Sequence, residues 1–152
     1  MVQLKKAGID DAREIYDMQI KSFRTLLEKY QDHDFSPGAE PLDRTIQRFN
    51  EPFTDYYFIC YDDAHIGAIR VCDFGRLMKL KQIFILKEYQ DRGYAQMAIT
   101  LLESLYPQAA QWQVDTILQE KKLCHLYEKM GYRRTGKTEN IKDGMDIVFF
   151  EK

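Results

Sequence analysis

A six-residue loop with the sequence Gln-Asp-Arg-Gly-Tyr-Ala, at residues 90–95, constrains the fold more than any other segment. The apolar residues before it, 83–86, are typical of a buried strand. After it, apolar side chains recur at helical spacing as far as Leu105. The order predicts a strand–loop–helix unit, and the unpaired amides that start such a helix suit a phosphate group. The loop lacks the Lys and Ser/Thr of a nucleotide P-loop, and the dinucleotide motif G-x-G-x-x-G is absent.

Two motifs of the chain resemble those of the GCN5-related N-acetyltransferase (GNAT) family. The first, Gln-x-x-Gly-x-Ala at residues 90–95, is similar to the family's acetyl-CoA loop, usually written Arg/Gln-x-x-Gly-x-Gly/Ala. The second, Leu-Tyr-Glu-Lys-Met-Gly-Tyr at residues 126–132, looks like the family's Leu-Tyr-Glu-Lys-x-Gly-Phe/Tyr segment at the expected distance. With the elements between them, the matches span residues 77–132. The resemblance implies an acetyl-CoA-dependent N-acetyltransferase acting on an amine, either a small molecule or a peptide.

Bulk properties exclude several other classes of protein. A chain of 152 residues with 45% hydrophobic content supports one well-buried core. A net charge of −2 gives no electrostatic argument for nucleic acid or an anionic membrane as partner. No apolar run approaches the length of a membrane span, and the N-terminus lacks a signal-peptide pattern. The three cysteines contain no C-x-x-C pair and read as reduced thiols, so we expect a cytoplasmic protein.

The order of patterns predicts a single mixed α/β domain over residues 1–152, whose mostly antiparallel sheet of about six to seven strands is flanked by helices. A helix between adjacent strands implies one parallel pair. In the family that pair splays apart, and acetyl-CoA lies in the opening. Asp10 is expected to cap the first helix, whose inner face carries apolar residues as far as Tyr30. Strands are predicted at 2–7, 56–61, 66–72, 77–86, 113–118, 132–141 and 145–151, and helices at 10–30, 42–50, from the loop to about 106, and at 121–130.

The resemblance implies a cofactor site made by the strand and the loop. The strand backbone would pair with the pantetheine arm and polarise the thioester carbonyl, and the loop amides would hold the pyrophosphate. From the residues alone, a plain tight turn explains the loop equally well. An acid at position 91 is unfavourable near a pyrophosphate unless it points to solvent or pairs with Arg92. The predicted cofactor-binding residues are Ile83, Phe84, Ile85, Gln90, Asp91, Arg92, Gly93, Tyr94, Ala95, Gln96 and Glu120, the last of which stands where the family often has Asn.

Acetyl transfer to an amine needs a proton donor for the departing thiolate, and a phenol retains its proton over the whole working range. Tyr127 matches the family's usual general acid. Its position on the same helix face as Leu123 and Met130 also suits an ordinary core tyrosine. The pattern alone favours the core interpretation, and the resemblance favours the catalytic one.

The general base is unassigned. Many family members carry Glu late in the strand before the loop, where this chain has Lys81 followed by Gln82. In the family, residues corresponding to 20–36 line the acceptor pocket, and acids there favour a cationic acceptor. A solvated polar loop is the alternative. The predicted acceptor-binding residues are Tyr30, Asp32, His33 and Asp34, and the substitutes for the base are Asp32, His33, Asp34, Asp73, Glu120 or an ordered water.

Two rival hypotheses remain open. The missing Glu favours a non-catalytic member of the fold that binds acyl-CoA as a sensor or structural ligand. If the motif match is fortuitous, the domain is an interaction module that does not bind CoA.

The three histidines have no spacing suited to a metal ion. A homodimer through the C-terminal hairpin, residues 132–151, is a candidate assembly because family members often pair through edge strands.

Overall fold

Seven strands form one mixed sheet, and four helices flank it. The computed structural model describes all 152 residues. Every predicted strand and helix is present with ends shifted by a few residues, which confirms the fold class. The elements are β1 (Val2–Lys6), α1 (Ala12–Tyr30), α2 (Leu42–Phe49), β2 (Thr54–Tyr61), β3 (Ala64–Phe74), β4 (Leu77–Ile85), α3 (Tyr94–Ser104), β5 (Gln111–Ile117), α4 (Lys121–Lys129), β6 (Arg133–Lys142) and β7 (Met145–Glu151). Across the sheet, the strands follow the order β1-β2-β3-β4-β5-β7-β6.

The single parallel pair, β4 with β5, is short. Residues 77–80 pair with residues 111–114, and all other neighbouring strands are antiparallel. Beyond Leu80 and Val114 the two strands form no further pairs. Residues 81–85 of β4 therefore have an unpaired edge towards β5. The register between β3 and β4 is irregular at the same level. Arg70 of β3 pairs with Gln82, whereas the next residue of β3 pairs with Leu80. The sheet therefore opens where the family resemblance predicts the cofactor.

Apolar side chains cover both faces of the sheet. On one face the main core includes Ile69 and Leu80 of the sheet together with Ile99 of α3 and Tyr127 of α4. A second cluster on the other face joins the sheet to α1. Because neighbouring residues of a strand point to opposite faces, burial on both faces explains the nearly continuous apolar sequence of β2 and β3.

The start and the inner face of α1 differ from the prediction. Asp10 does not cap the helix; a 3₁₀ turn precedes it, and the Asp11 carboxylate accepts a hydrogen bond from the Gly8 amide at 2.9 Å. The first turns of α1 are buried as expected. In the second half, Phe23 and its apolar neighbours are only half-buried, whereas Gln19 is completely buried. A polar residue at the centre of this helix face shows that α1 covers more than an apolar core.

Candidate active site

The loop at residues 90–95 connects the free edge of β4 to the start of α3. The Gln90 side-chain amide donates to the Ile85 carbonyl at 2.8 Å, which ties the loop to the end of the strand. Asp91 and Gly93 both adopt positive φ angles, 62° and 81°. A Cβ on Gly93 would meet nothing within 4 Å, so the space beside the loop is open.

Most backbone amides of the loop are available to a ligand. Those of Asp91, Arg92 and Gly93 donate no hydrogen bond within the protein, whereas the Gln90 amide donates to the Lys87 carbonyl at 3.2 Å. The amides of residues 94–96 follow in the first turn of α3, where a helix leaves its N–H groups unpaired. Together these amides can hold an anion such as a pyrophosphate.

Asp91 does not disturb that arrangement. Its carboxylate pairs with Lys122 of α4 at 2.7 Å and not with Arg92, the partner named in the sequence-based expectation. Both side chains of the pair are exposed, and Arg92 makes no ion pair of its own. The acid is therefore compensated, and Arg92 adds a positive charge beside the free amides.

The end of β4 combines buried side chains with an unpaired backbone edge. Phe84 packs edge-on against Phe23 of α1, with ring centroids 5.9 Å apart, while Ile85 belongs to the main core. On the β3 side, the backbones approach so closely that a Cβ on Gly67 would lie 2.1 Å from the Phe84 carbonyl oxygen. The strand is thus held firmly from one side, and its amides and carbonyls facing β5 remain free to pair with an extended ligand.

Tyr127 has the environment of a core residue everywhere except at its hydroxyl. The side chain is 5% exposed, and its ring packs against Tyr132 and Phe150 at centroid distances of 6.0 and 6.1 Å. A buried tyrosine usually hydrogen-bonds its hydroxyl, but that of Tyr127 has no partner and is not among the fully enclosed polar atoms. Burial raises the pKa of this phenol, and the nearby Asp115 carboxyl and Cys124 raise it further. Core packing accounts for the ring but leaves the hydroxyl available.

Glu120 and Tyr30, predicted for different roles, contact each other. The Glu120 carboxylate at the start of α4 accepts hydrogen bonds from the Tyr30 hydroxyl and, at 2.6 Å, from the Lys29 ammonium. Burial raises the pKa of Glu120, but these two donors outweigh it and hold the pKa below its usual range. A carboxylate so stabilised is a weak proton acceptor, so Glu120 is poorly suited to act as the base.

The other predicted acceptor residues are dispersed. Asp32 is buried, with one oxygen accepting from the Phe35 amide at 3.2 Å and the other unpartnered. His33 and Asp34 are exposed in the loop after α1. Asp73 lies near the end of β3, where its carboxylate accepts from the amide of Gly75 in the following turn at 2.8 Å, at the opposite end of β4 from the opening.

Asp115 is a candidate that the sequence analysis missed. It directly follows Val114, the last residue of β5 that pairs with β4. Asp115 is exposed as a residue, yet partial desolvation of its carboxyl raises its pKa, against the opposing charge of Lys81. The carboxyl is close enough to Tyr127 to raise the pKa of the phenol. The only signal in the sequence was an acid in a strand whose alternate residues Trp112 and Val114 are apolar.

A buried polar cluster between the sheet and helices α1 and α2 was also missed. At its centre, Glu40 accepts hydrogen bonds from the two terminal nitrogens of Arg48 at 2.7 and 2.8 Å and from the Gln19 amide at 2.9 Å. Arg70 and Gln82 lie on the same side of the sheet and are both 8% exposed. The available signal for this cluster was the presence of polar residues, Arg70 and Gln82, within largely apolar strand patterns.

No group of three or more His, Cys, Asp or Glu side chains is arranged to bind a metal ion.

A mixed sheet that opens beside its one parallel pair, next to a loop of free amides at a helix start, has the architecture that the resemblance to N-acetyltransferases implied. The model of the acetyltransferase (GNAT) family matches residues 12–132, and the chain therefore belongs to this family. No curated protein matches the chain in sequence at a significant level. None of its helices combines the length and apolar character needed to span a bilayer.

Solved structures with the same fold cover almost the whole chain. The ribosomal-protein-S18-alanine N-acetyltransferase from Escherichia coli has a TM-score of 0.79 at 12% identity, over 99% of this chain and 92% of that one. The spermidine N-acetyltransferase from Vibrio cholerae, in complex with CoA and spermine, has a TM-score of 0.75 at 18% identity, over 99% and 94%. The PaiA N-acetyltransferase from Thermoplasma acidophilum, in complex with coenzyme A, has a TM-score of 0.72 at 15% identity, over 100% and 98%. At these identities the likeness concerns the fold.

Proposed function

We propose that the protein is an acetyl-CoA-dependent N-acetyltransferase that transfers an acetyl group directly to a primary amine. The observation that carries the proposal is the unpartnered hydroxyl of Tyr127, the match to the family's general acid, in a protein whose sheet opens at β4 and β5. Membership of the GNAT family supports the reaction class, and structures of the same fold with coenzyme A bound support the cofactor.

The cofactor would bind along the free edge of β4 and at the start of α3. The amides of residues 91–96 and the Arg92 side chain would hold the pyrophosphate, while the backbone of residues 83–85 would pair with the pantetheine arm. One strand amide would donate to the thioester carbonyl and stabilise the oxyanion that forms on attack. Glu120 would contribute little to this site because its carboxylate is already bound to Lys29 and Tyr30.

In the reaction, the neutral amine nitrogen attacks the thioester carbonyl carbon, a C–N bond forms, and the C–S bond breaks. Tyr127 donates its proton to the departing CoA thiolate. The raised pKa of the phenol keeps it protonated at working pH. The same apolar surroundings disfavour a free thiolate, which makes the sulfur a strong proton acceptor as it leaves.

Asp115 is our candidate for the base that takes the proton lost by the amine. A carboxyl with a raised pKa accepts a proton more readily than an ordinary Asp, and this one lies where β4 and β5 separate. The proton would reach it directly or through a water molecule. Among the residues suggested by the sequence, Asp32 is enclosed, Glu120 is already paired and Asp73 lies at the opposite end of β4. His33 and Asp34 lie in the loop after α1.

A Tyr127→Phe variant tests the proposal. We expect kcat to fall about 10²-fold or more because the thiolate loses its donor, while the affinity for acetyl-CoA stays the same. Thiol release, measured with a panel of amines, gives the rate, and calorimetry gives the affinity. Tyr132→Phe is the matched control, since the Tyr132 hydroxyl is bonded to Glu103 at 2.8 Å and has no role in transfer. An unchanged kcat in Tyr127→Phe would remove the phenol from the mechanism.

The alternative is a non-catalytic protein that binds acyl-CoA as a sensor or structural ligand. It is favoured by Lys81 at the position where many family members have Glu, and by the engagement of Glu120 with Lys29. This hypothesis predicts acetyl-CoA binding without thiol release for any amine, and it predicts that Tyr127→Phe has no measurable effect.

We further propose a cytoplasmic, homodimeric protein. All three cysteines are buried and unpaired, which fits a reducing compartment. Strand β6 forms one edge of the sheet and is exposed over nearly its whole length, so it could pair with a second copy. Sedimentation analysis would reveal a monomer if the edge stays unpaired.

A further inference from the structure

Three polar side chains form a row across the sheet on the side covered by α1 and α2. The register places Tyr56 of β2 opposite Arg70 of β3, and Arg70 opposite Gln82 of β4. Gln82 lies two residues beyond Leu80, where β4 separates from β5. The row therefore leads from the interior to the opening where the proposed reaction takes place.

Arg70 has no partner inside the protein. The residue is 8% exposed, its Nε is fully enclosed without a hydrogen-bond acceptor, and its guanidinium makes no ion pair. Burial lowers the pKa of the guanidinium, and the positive charge of Arg48 nearby lowers it further. An isolated buried charge strongly destabilises a fold unless another group compensates it.

The neighbouring carboxylate cannot supply that compensation. Glu40 is fully engaged by Arg48 and Gln19, with a bidentate contact to the guanidinium of Arg48. The cluster thus contains two guanidinium groups and one carboxylate, which leaves one positive charge unmatched. The oxygens of Tyr56 and Gln82 beside Arg70 are also enclosed and without partners. The tyrosine hydroxyl can donate a second hydrogen bond to an anion held by Arg70.

We propose that Arg70 binds a carboxylate group of the acceptor, so that the acceptor is an amine that also carries a carboxylate, such as an amino acid. A guanidinium matches a carboxylate in shape, because both are planar and can form two parallel hydrogen bonds. This inference rests on the proposed transferase function. It replaces the cationic acceptor favoured by the acid count, because the enclosed group without a partner in the row that leads to the opening is the positive Arg70. Asp32 also has an enclosed oxygen without a partner, but it lies in the loop after α1, outside this row, and its other oxygen accepts from the Phe35 amide.

Matched acceptors test the proposal directly. Thiol release from acetyl-CoA is measured with the common L-amino acids, with their carboxamides, and with spermidine and aminoalkylphosphonates. We expect the best amino acid to exceed its carboxamide in kcat/KM by about 10- to 100-fold, which corresponds to one charge-assisted contact. Equal values for acid and carboxamide, or a preference for spermidine, would overturn the proposal. A preference for the phosphonates would also overturn it, since it would assign the site to a phosphoryl group.

An Arg70→Met variant distinguishes a carboxylate-binding role of Arg70 from a purely structural one. We expect KM for the amino acid to rise about 10- to 100-fold with little change in kcat, and KM for its carboxamide to stay the same. The unfolding midpoint should rise, because an unpaired buried charge is replaced by an apolar side chain. Arg76→Met, in the exposed turn between β3 and β4, is the control and should change neither quantity. A lower midpoint with unchanged selectivity would show a structural role and refute the proposal.

Ligand binding without turnover provides an independent check. N-acetylated amino acids, the expected products, should raise the unfolding midpoint of the wild-type protein and leave that of Arg70→Met unchanged. Calorimetry with acetyl-CoA distinguishes a failure of the transferase proposal from a failure of the proposed role of Arg70. Failure to bind acetyl-CoA would defeat the transferase proposal itself, whereas acetyl-CoA binding without any effect of carboxylates would defeat only the role of Arg70.

Discussion

Replacing Glu40 by Gln removes the one negative charge from the buried cluster that borders the opening. The carboxylate lies between Arg48 and Gln19 and accepts three hydrogen bonds of 2.7 to 2.9 Å. The side chains of Glu40 and Arg48 are only 15% and 13% exposed, so water cannot take over these contacts. After the substitution two buried guanidinium groups, those of Arg48 and Arg70, would lack any neutralising partner.

The expected cost follows from this geometry. Removing one member of a buried ion pair typically destabilises a protein by about 3–5 kcal/mol, and the proximity of Arg70 favours the upper part of that range. For a domain of this size, each kcal/mol lowers the unfolding midpoint by about 2–4 °C, so we expect a decrease of about 6–20 °C. Such a loss is a large fraction of the stability of an ordinary domain.

Urea unfolding, followed through the fluorescence of the single tryptophan, Trp112, measures the effect. Asp17→Asn is the control, because Asp17 pairs with Arg13 on the surface, where the side chains are 59% and 73% exposed. We expect the control to lose no more than about 0.5 kcal/mol. A loss below about 1 kcal/mol in Glu40→Gln would mean that water reaches the pair, and the description of the cluster as enclosed would be wrong.

Three further predictions concern the same region. The stability advantage of wild type over Glu40→Gln should be complete above pH 4.5, the ordinary pKa of the carboxyl, and decline in acid as the pH falls through its lowered pKa, which pH-dependent unfolding would show. Gly67→Ala should destabilise the protein by about 1–3 kcal/mol in urea unfolding, because the added methyl would lie against the Phe84 carbonyl; unaltered stability would mean that the strands separate without cost. Asp115→Asn should lower kcat and raise stability at neutral pH, and the stability gain should vanish in acid, where the wild-type carboxyl is also neutral; an unchanged kcat would exclude Asp115 as the base.

The fold could be predicted well from the sequence because local signals agreed with one another. The turn at Asp143-Gly144, the breaks around Pro37 and Pro41, and the strand–loop–helix pattern at residues 83–105 each fixed the ends of elements. The prediction that Asp10 caps α1 was wrong because a 3₁₀ turn precedes the helix and places Asp11 at its N-cap position, without a side-chain cap bond to α1. The Asp11 carboxylate accepts from the Gly8 amide, at the start of that turn.

The candidate site was predictable only where its residues are neighbours in sequence. The loop at residues 90–95 is one local motif. Arg70 and Glu40, in contrast, come from separate elements, and only strand register and helix packing bring them near each other. Asp115 was overlooked for the same reason, since its importance depends on where β4 and β5 separate. The contacts of Glu120 were equally hidden in the sequence. Its carboxylate is bound by Lys29 and Tyr30, which belong to α1, a helix far from Glu120 in sequence.

Calorimetric titration with acetyl-CoA and with free CoA shows whether the opening between β4 and β5 is a cofactor site. We expect one site per chain with micromolar affinity for acetyl-CoA, formed by the free edge of β4 and the unpaired amides at the start of α3. The absence of binding at millimolar acetyl-CoA would contradict it, and the loop at residues 90–95 would then be a turn between a strand and a helix.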